Sequence, residues 1–272
     1  MSATVTKTRI LSKAFQQDGA RGVLGVLVQK LQITWRRGEV WQLGRFVGMP
    51  AEKIVRLDGC KFTLDEKLLP ANVVDLLLEN NYEAPERDAL KKYLDPELPV
   101  IELGGCLGVV SCLANRRLRH PEKHIVVEAN PNLVPLIAEN RERNGCHFQI
   151  VHAAVSYGAD TITFMVNDNI LASSLNGDEQ RAVVVSTVTL RLVLEEMGFE
   201  KATLICDIEG AELQLVEHEL DVLRDRVSMI IMELHDRMVG EEPTQEMLER
   251  LESVGFRIVS RDRDVIVMRQ VS

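Results

Sequence analysis

Two short stretches of the sequence gather groups able to move protons or hold a cation. Cys206-Asp207-Ile208-Glu209-Gly210-Ala211-Glu212 and Met232-Glu233-Leu234-His235-Asp236 each close an apolar, β-rich run. With those runs as strands of one parallel sheet, Asp207, Glu209, Glu233 and His235 meet beyond the strand ends, where open α/β sheets bind their ligands. Ionisable groups so placed perturb one another's pKa values, as acid/base chemistry requires. Oxygen donors of this kind also suit a divalent cation, but a hydrogen-bonded network is the more common use of such a cluster, so no metal is assigned and the cation stays an alternative.

A third stretch, Val100-Ile101-Glu102-Leu103-Gly104-Gly105-Cys106-Leu107-Gly108-Val109-Val110-Ser111, runs from an apolar strand through a Gly-rich turn into a helix. Glycines there let the backbone turn sharply and approach a ligand, and the helix N-terminus faces it. The Glu-x-Gly-x-x-x-Gly spacing is neither the dinucleotide fingerprint nor a P-loop. Twenty residues past Gly108, the run Ile125-Val126-Val127 ends in Glu128, an acid able to accept hydrogen bonds from two ribose hydroxyls. His152 closes the next strand, where it either flanks an adenine or serves as a structural histidine.

These residues need a scaffold, and the chain from Val100 onward alternates β-rich and helical runs, the pattern of βαβ units. Eight runs read as strands: 100–103, 124–128, 148–154, 161–166, 203–207, 228–234, 257–260 and 265–269. The 161–166 run reads as an added hairpin arm, which leaves seven for the main sheet. Pro131 opens a helical run that stops at Asn144-Gly145, and Thr244 precedes one that stops near Gly255. The short polar link Arg261-Asp262-Arg263-Asp264 predicts that the last two strands form an antiparallel hairpin. Residues 1–97 lack this rhythm and read as an N-terminal helical extension, with helices over 71–80 and 85–94; residues 98–272 form the catalytic domain. The extension and the 167–186 loop would supply the pocket walls.

A chain of 272 residues, 46% hydrophobic and 27% charged, excludes disorder throughout, a fibre or a disulfide mini-protein. Five cysteines without a Cys-x-x-Cys pair read as reduced thiols of a cytoplasmic protein, and no signal peptide or membrane-spanning run is recognisable. The net charge of -9 argues against nucleic acid as a partner. Residues 1–61 run against that balance, with 11 Lys and Arg to 4 Asp and Glu. Within them Arg21–Arg45 carries Trp35, Trp41, Arg36, Arg37 and an apolar series. The segment suits either an amphipathic helix packed on the catalytic domain or peripheral contact with the inner face of a membrane. A homo-oligomer is compatible with everything in the sequence.

The glycine loop resembles motif I of class I S-adenosylmethionine-dependent methyltransferases, and Glu128-Ala129-Asn130-Pro131 resembles their second-strand motif. Asp207-Ile-Glu-Gly-Ala-Glu212 narrows the resemblance to the FkbM family. Tyr82-Glu83 with Glu86, Ala154-Val155-Ser156, Ser173-Ser174-Leu175, Thr187-Val188-Thr189-Leu190 and Glu233-Leu234-His235 agree with that family in order. The similarity covers about residues 80–270. It implies a Rossmann-like α/β fold with a seven-stranded, mostly parallel sheet, S-adenosyl-L-methionine as cofactor, and O-methylation of a hydroxyl on a sugar, glycolipid or other small molecule. The cofactor site it implies comprises Glu102, Gly104, Gly105, Gly108, Glu128, Ala129, Asn130, His152, Ala153 and Asp207.

An alcohol is a poor nucleophile, so methyl transfer to oxygen needs a base. His235 is the first choice because its ordinary pKa lies nearest neutral, with Asp207 and Glu209 as rivals. Two positions depart from the family pattern: Ile205 replaces the usual Lys, and Arg191 replaces the usual acid. Both changes put the acceptor preference in question. The competing functions are a nicotinamide-dependent oxidoreductase, disfavoured by the glycine spacing, and a non-catalytic nucleotide-binding relative.

Overall fold

The computed structural model describes residues 53–64, 69–167 and 180–271. The Arg21–Arg45 segment and Ser173-Ser174-Leu175 lie outside these residues. Among the described residues no helix is long and apolar enough to cross a membrane.

The first described element is a hairpin of β1 (Ile54–Leu57) and β2 (Cys60–Thr63). It lies where the sequence suggested only helices. Asp58-Gly59 between two β-rich runs is its signal, with φ of 47° and 86° at the two turn residues, as the tight hairpin turn demands. The two expected helices follow as α1 (Ala71–Leu78) and α2 (Ala84–Tyr93).

The main sheet then begins with β3 (Val100–Leu103), α3 (Val109–Asn115), β4 (His124–Glu128), α4 (Val134–Arg143) and β5 (Gln149–His152). The strand expected over 148–154 is divided. β5 is the outer strand of the main sheet, and past Ala153 the chain leaves it as β6 (Ala154–Val155). There β6 pairs in parallel with β8 (Gln180–Val188), which in turn pairs antiparallel with β7 (Thr161–Asn167). The expected loop over 167–186 is therefore corrected at its end. Val183-Val184-Val185 are β-branched residues that extend beside β7.

The chain returns through α5 (Leu190–Met197), β9 (Ala202–Cys206), α6 (Glu212–Arg226), β10 (Val227–Glu233), a short α7 (Asp236–Val239) and α8 (Glu241–Ser253). It closes with β11 (Phe256–Asp262) and β12 (Val265–Gln270), the expected antiparallel hairpin. The strand order is β11-β12-β10-β9-β3-β4-β5, parallel except where β12 runs against both its neighbours. The chain thus winds outward from β3 in one direction and returns on its other side at β9. Ligands of such sheets sit at the carboxyl ends where the winding reverses, between β3 and β9.

Strand alternation assigns the faces. Ile101, Leu103, Leu204, Cys206, Ile230 and Met232 point into a core shared with α5, α6 and α8. Val100, Ile205, Met229 and Ile231 point the other way, into a core completed by α1–α4 and by Val55, Leu57, Cys60 and Phe62 of the hairpin. The residues from β1 to α2 therefore share one apolar core with this face of the sheet.

Candidate active site

The glycine loop is shaped first by its own neighbours. Gly104 has φ of +89°, and a Cβ there would lie 1.7 Å from the carbonyl oxygen of Asp207, so only glycine lets the ends of β3 and β9 approach this closely. Beyond it, the amides of Gly105 and Cys106 donate to Oε2 of Glu128 at 3.0 and 2.9 Å, and the amide of Asn130 donates to its Oε1 at 2.7 Å. Burial raises the Glu128 pKa, and these three amide bonds work against that rise. Ala129, His152 and Ala153 lie at the same edge. His152 Nε2 is 3.2 Å from the Ala129 carbonyl, and the amide of Ala153 donates to the Glu128 carbonyl at 3.1 Å. Glu102 is placed differently, being fully buried with both oxygens engaged by the protein. Ser111 Oγ donates to one at 2.6 Å, and His124 Nε2 is 3.1 Å from the other.

The downstream acids converge as the strand pattern requires. Cys206 of β9 is level with Met232 of β10, which sets Asp207 and Glu233 side by side past the strand ends. His235 Nε2 lies 3.4 Å from Asp207 Oδ1 and 3.7 Å from Glu209 Oε2. On its other side, Nδ1 lies 3.2 Å from Oε1 of buried Glu212, whose position is fixed by a 2.8 Å bond from the Ile208 amide. Burial by itself would lower the His235 pKa, but the carboxylates of Asp207 and Glu212 hold the ring's proton and push it up to about 11. A ring that already holds its proton is a poor base at neutral pH. Glu233 moves the other way for a carboxylate: burial, reinforced by Asp207 and Glu86, pushes it up to about 8.

Helix α2 brings two further acids to the same place. Pro85 sits in its first turn, and Glu86, Ala89 and Leu90 form its buried stripe. A cavity between α2 and the sheet is lined by Glu83, Glu86, Glu102, Asp207 and Glu233 and by Gly104 and Gly105 of the glycine loop, with Ile205 and Ile231 as an apolar floor. Glu102, Ile205 and Ile231 are level on adjacent strands, so they share that floor. Burial raises the pKa of Glu83 and of Glu86, and repulsion adds to it: chiefly from Glu86 on Glu83, and from Asp207 on Glu86. Glu83 Oε2 and Glu86 Oε2 are buried without a hydrogen-bond partner.

Arg87 holds this wall in position. Its guanidinium is 2% exposed and binds Asp58 at the hairpin turn, the side chain and carbonyl of Asn80, and the Tyr82 carbonyl. Glu83, which lines the cavity, Cys106 of the glycine loop and Glu209 of the rim have φ of 47°, 47° and 54°, a backbone strain of roughly 1–3 kcal/mol each that is typical of functional sites.

The structure therefore gathers Asp207, Glu209 and His235 at one rim, and places the glycine loop, Glu128, Asn130, Ala129, His152 and Ala153 beside it across the β3–β9 junction. Three acids, Glu83, Glu86 and Glu212, were absent from the expected site. For Glu86 a signal was available: it is the acid on an otherwise apolar helical stripe.

The model of the methyltransferase FkbM domain matches residues 102–258, from the acid of β3 into β11. The chain belongs to that family. Every residue of the rim falls within the match, and membership sets aside the nicotinamide oxidoreductase. No curated protein matches the sequence. Among solved structures, the precorrin-6y C5,15-methyltransferase of Geobacter metallireducens GS-15 is similar with 13% identity and a TM-score of 0.45, over 78% of this chain and 94% of that one. M. jannaschii TYW2, solved in complex with AdoMet, is similar with 13% identity and a TM-score of 0.42, over 82% and 89%. A protein of the NADB-Rossmann superfamily from Streptococcus agalactiae has 10% identity and a TM-score of 0.43, over 69% and 68%.

Both departures from the FkbM pattern have a place in the structure. Ile205 is 4% exposed and forms part of the cavity floor. Arg191 directs its guanidinium to Asp221 on the outer surface, 2.7 Å away and more than two turns along α6 from the rim, so it adds no charge there.

Proposed function

We propose that this FkbM methyltransferase transfers a methyl group from S-adenosylmethionine to a hydroxyl of a small-molecule or glycan acceptor. The observation that carries the reading is the meeting of the glycine loop, the Glu128 carboxylate and an acid-lined cavity at the β3–β9 junction. The residues fit that cofactor. Glu83 and Glu86 offer unpartnered oxygens to a ligand bearing positive charge, and Glu128 keeps acceptor capacity for hydroxyls beyond its amide bonds. When bound, S-adenosylmethionine supplies a methyl group on a positively charged sulfur.

The protein's own part is to hold the acceptor in line and to take its proton as the new bond forms. Asp207 and Glu209 are the carboxylates placed for that. His235, wedged between Asp207 and Glu212, orients Asp207 in preference to accepting the proton itself.

Calorimetric titration with S-adenosylmethionine and S-adenosylhomocysteine tests the cofactor, and a screen of sugar and polyol acceptors by mass spectrometry tests the oxygen target. Glu128→Ala should weaken cofactor binding roughly 10- to 100-fold, the worth of one charge-assisted hydrogen-bond set. Unchanged binding in that variant would remove Glu128 from the site, and methylation at nitrogen or carbon alone would overturn the oxygen assignment.

A further inference from the structure

We propose that Asp207, Glu233 and His235 bind one divalent transition-metal ion of the Mn2+ or Zn2+ type. One donor atom from each lies within 4.8 Å of the others, the spacing required of donors that share an ion through bonds of about 2.0–2.4 Å. The backbone enforces this arrangement, because Cys206 and Met232 are level on adjacent parallel strands and their successors emerge together.

A second, independent observation comes from Glu86. It is 7% exposed, yet its Oε2 has no hydrogen-bond partner, and it lines the same cavity as Asp207 and Glu233. Buried polar groups are nearly always satisfied, and exceptions call for a missing partner. Asp207 Oδ1, which faces His235 Nε2, is a further buried oxygen without an aligned hydrogen bond. Among the described residues the His235 ring is the one cation paired with Asp207, Glu209 and Glu212, and an ion would take the place of its Nε2 proton. Ile205 and Ile231 form the floor, and among the described residues no Lys or Arg pairs with Asp207, Glu209, Glu212 or Glu233.

Glu212 has the place of an outer-shell partner. Its carboxylate, anchored by the Ile208 amide, faces Nδ1 and so favours the tautomer that leaves the Nε2 lone pair toward Asp207. The donor set selects the ion. One imidazole with two carboxylates suits Mn2+ or Zn2+, whereas Ca2+ takes six to eight oxygens and Mg2+ prefers an octahedron of oxygens and water. The ion's role rests on the proposed methyl transfer: it would take the acceptor hydroxyl as a further ligand and make it easier to deprotonate. With Asp207 engaged, Glu209, whose side chain is 64% exposed on the same rim, remains to receive the proton.

The test uses the full chain, stripped with EDTA and titrated with MnCl2, by calorimetry and by the electron paramagnetic resonance of free Mn2+. S-Adenosylmethionine binding is measured in parallel. Expected are one Mn2+ per chain that an equal concentration of Ca2+ does not displace, an affinity loss of more than about tenfold in Glu233→Gln and in His235→Gln, and a loss of roughly 10- to 100-fold in Glu212→Gln. Thermal melts show which variants are folded, and Glu212→Gln alone suffices if a ligand variant is not. Folded wild type that takes up no Mn2+, or uptake equal in wild type and all folded variants, overturns the proposal. Protein that binds S-adenosylmethionine without Mn2+ overturns the ion site alone. Protein that binds Mn2+ without S-adenosylmethionine supports the ion site and overturns the methyltransferase cofactor reading.

Discussion

The chain contains two histidines pressed against acids of the same sheet, and they are built to opposite specifications. His124 meets Glu102 at 3.1 Å with both side chains at most 1% exposed, and Ser111 satisfies the second carboxylate oxygen. His235 meets Asp207, Glu209 and Glu212, leaving Asp207 Oδ1 and its own Nδ1 without partners. The first is closed and has the properties of a structural pin beneath the glycine loop. The second is open, with more negative charge than the protein neutralises. Residue types alone do not separate them; what separates them is whether the protein completes the hydrogen bonds.

That contrast can be broken by substitution. The largest effect is expected from Asp207→Asn, which should lower the rate of methyl transfer roughly 10^2- to 10^4-fold while leaving the unfolding midpoint unchanged or higher. A folded variant with full activity in a kinetic assay would show that the open pair is idle. Glu102→Ala should act through stability instead. It strands His124 and Ser111 in the core, at about 1–3 kcal/mol for each group left unsatisfied, and denaturant titration reads the loss. The smallest effect is expected from Glu86→Gln. Removing one of the crowded carboxylates should stabilise the fold by roughly 0.5–2 kcal/mol in the same titration, at the expense of ligand affinity. A destabilised Glu86→Gln would mean that the cavity acids are already compensated.

How much of this was legible in the sequence varied with the range of the interaction. The β3-to-α3 turn, the acids at the ends of β4, β9 and β10, and the closing hairpin are local patterns, and each lies where spacing and composition put it. Glu128 was readable as a strand-end acid, but its hold on Gly105 and Cys106 depends on two chain segments folding together. The place of α2 was hidden for the same reason, although its acidic Glu86 on an apolar stripe was a local signal. The Arg87 bonds to Asp58, Asn80 and Tyr82, spanning up to 29 residues, and the packing of Ala89 and Leu90 in the core seat Glu86 over the sheet. The β1–β2 hairpin had a local signal in Asp58-Gly59, masked by the helical character of α1 and α2 just after it. His235 shows the limit most clearly. Its position was legible, but its role as a base was inferred from the ordinary pKa of the residue, and the Glu212 carboxylate behind it changes that value.

The apolar floor of Ile205 and Ile231 has a bearing on turnover. Burial above such a surface holds Glu83, Glu86 and Glu233 short of full charge while the cavity is empty, and a cationic occupant favours their ionised forms, so the cavity discriminates by the charge of its occupant. On the proposed reading, the cofactor enters with a cationic sulfur and is left with a neutral one after transfer. The attraction that draws it in weakens once the methyl group has gone, so the spent molecule is released more readily than the fresh one.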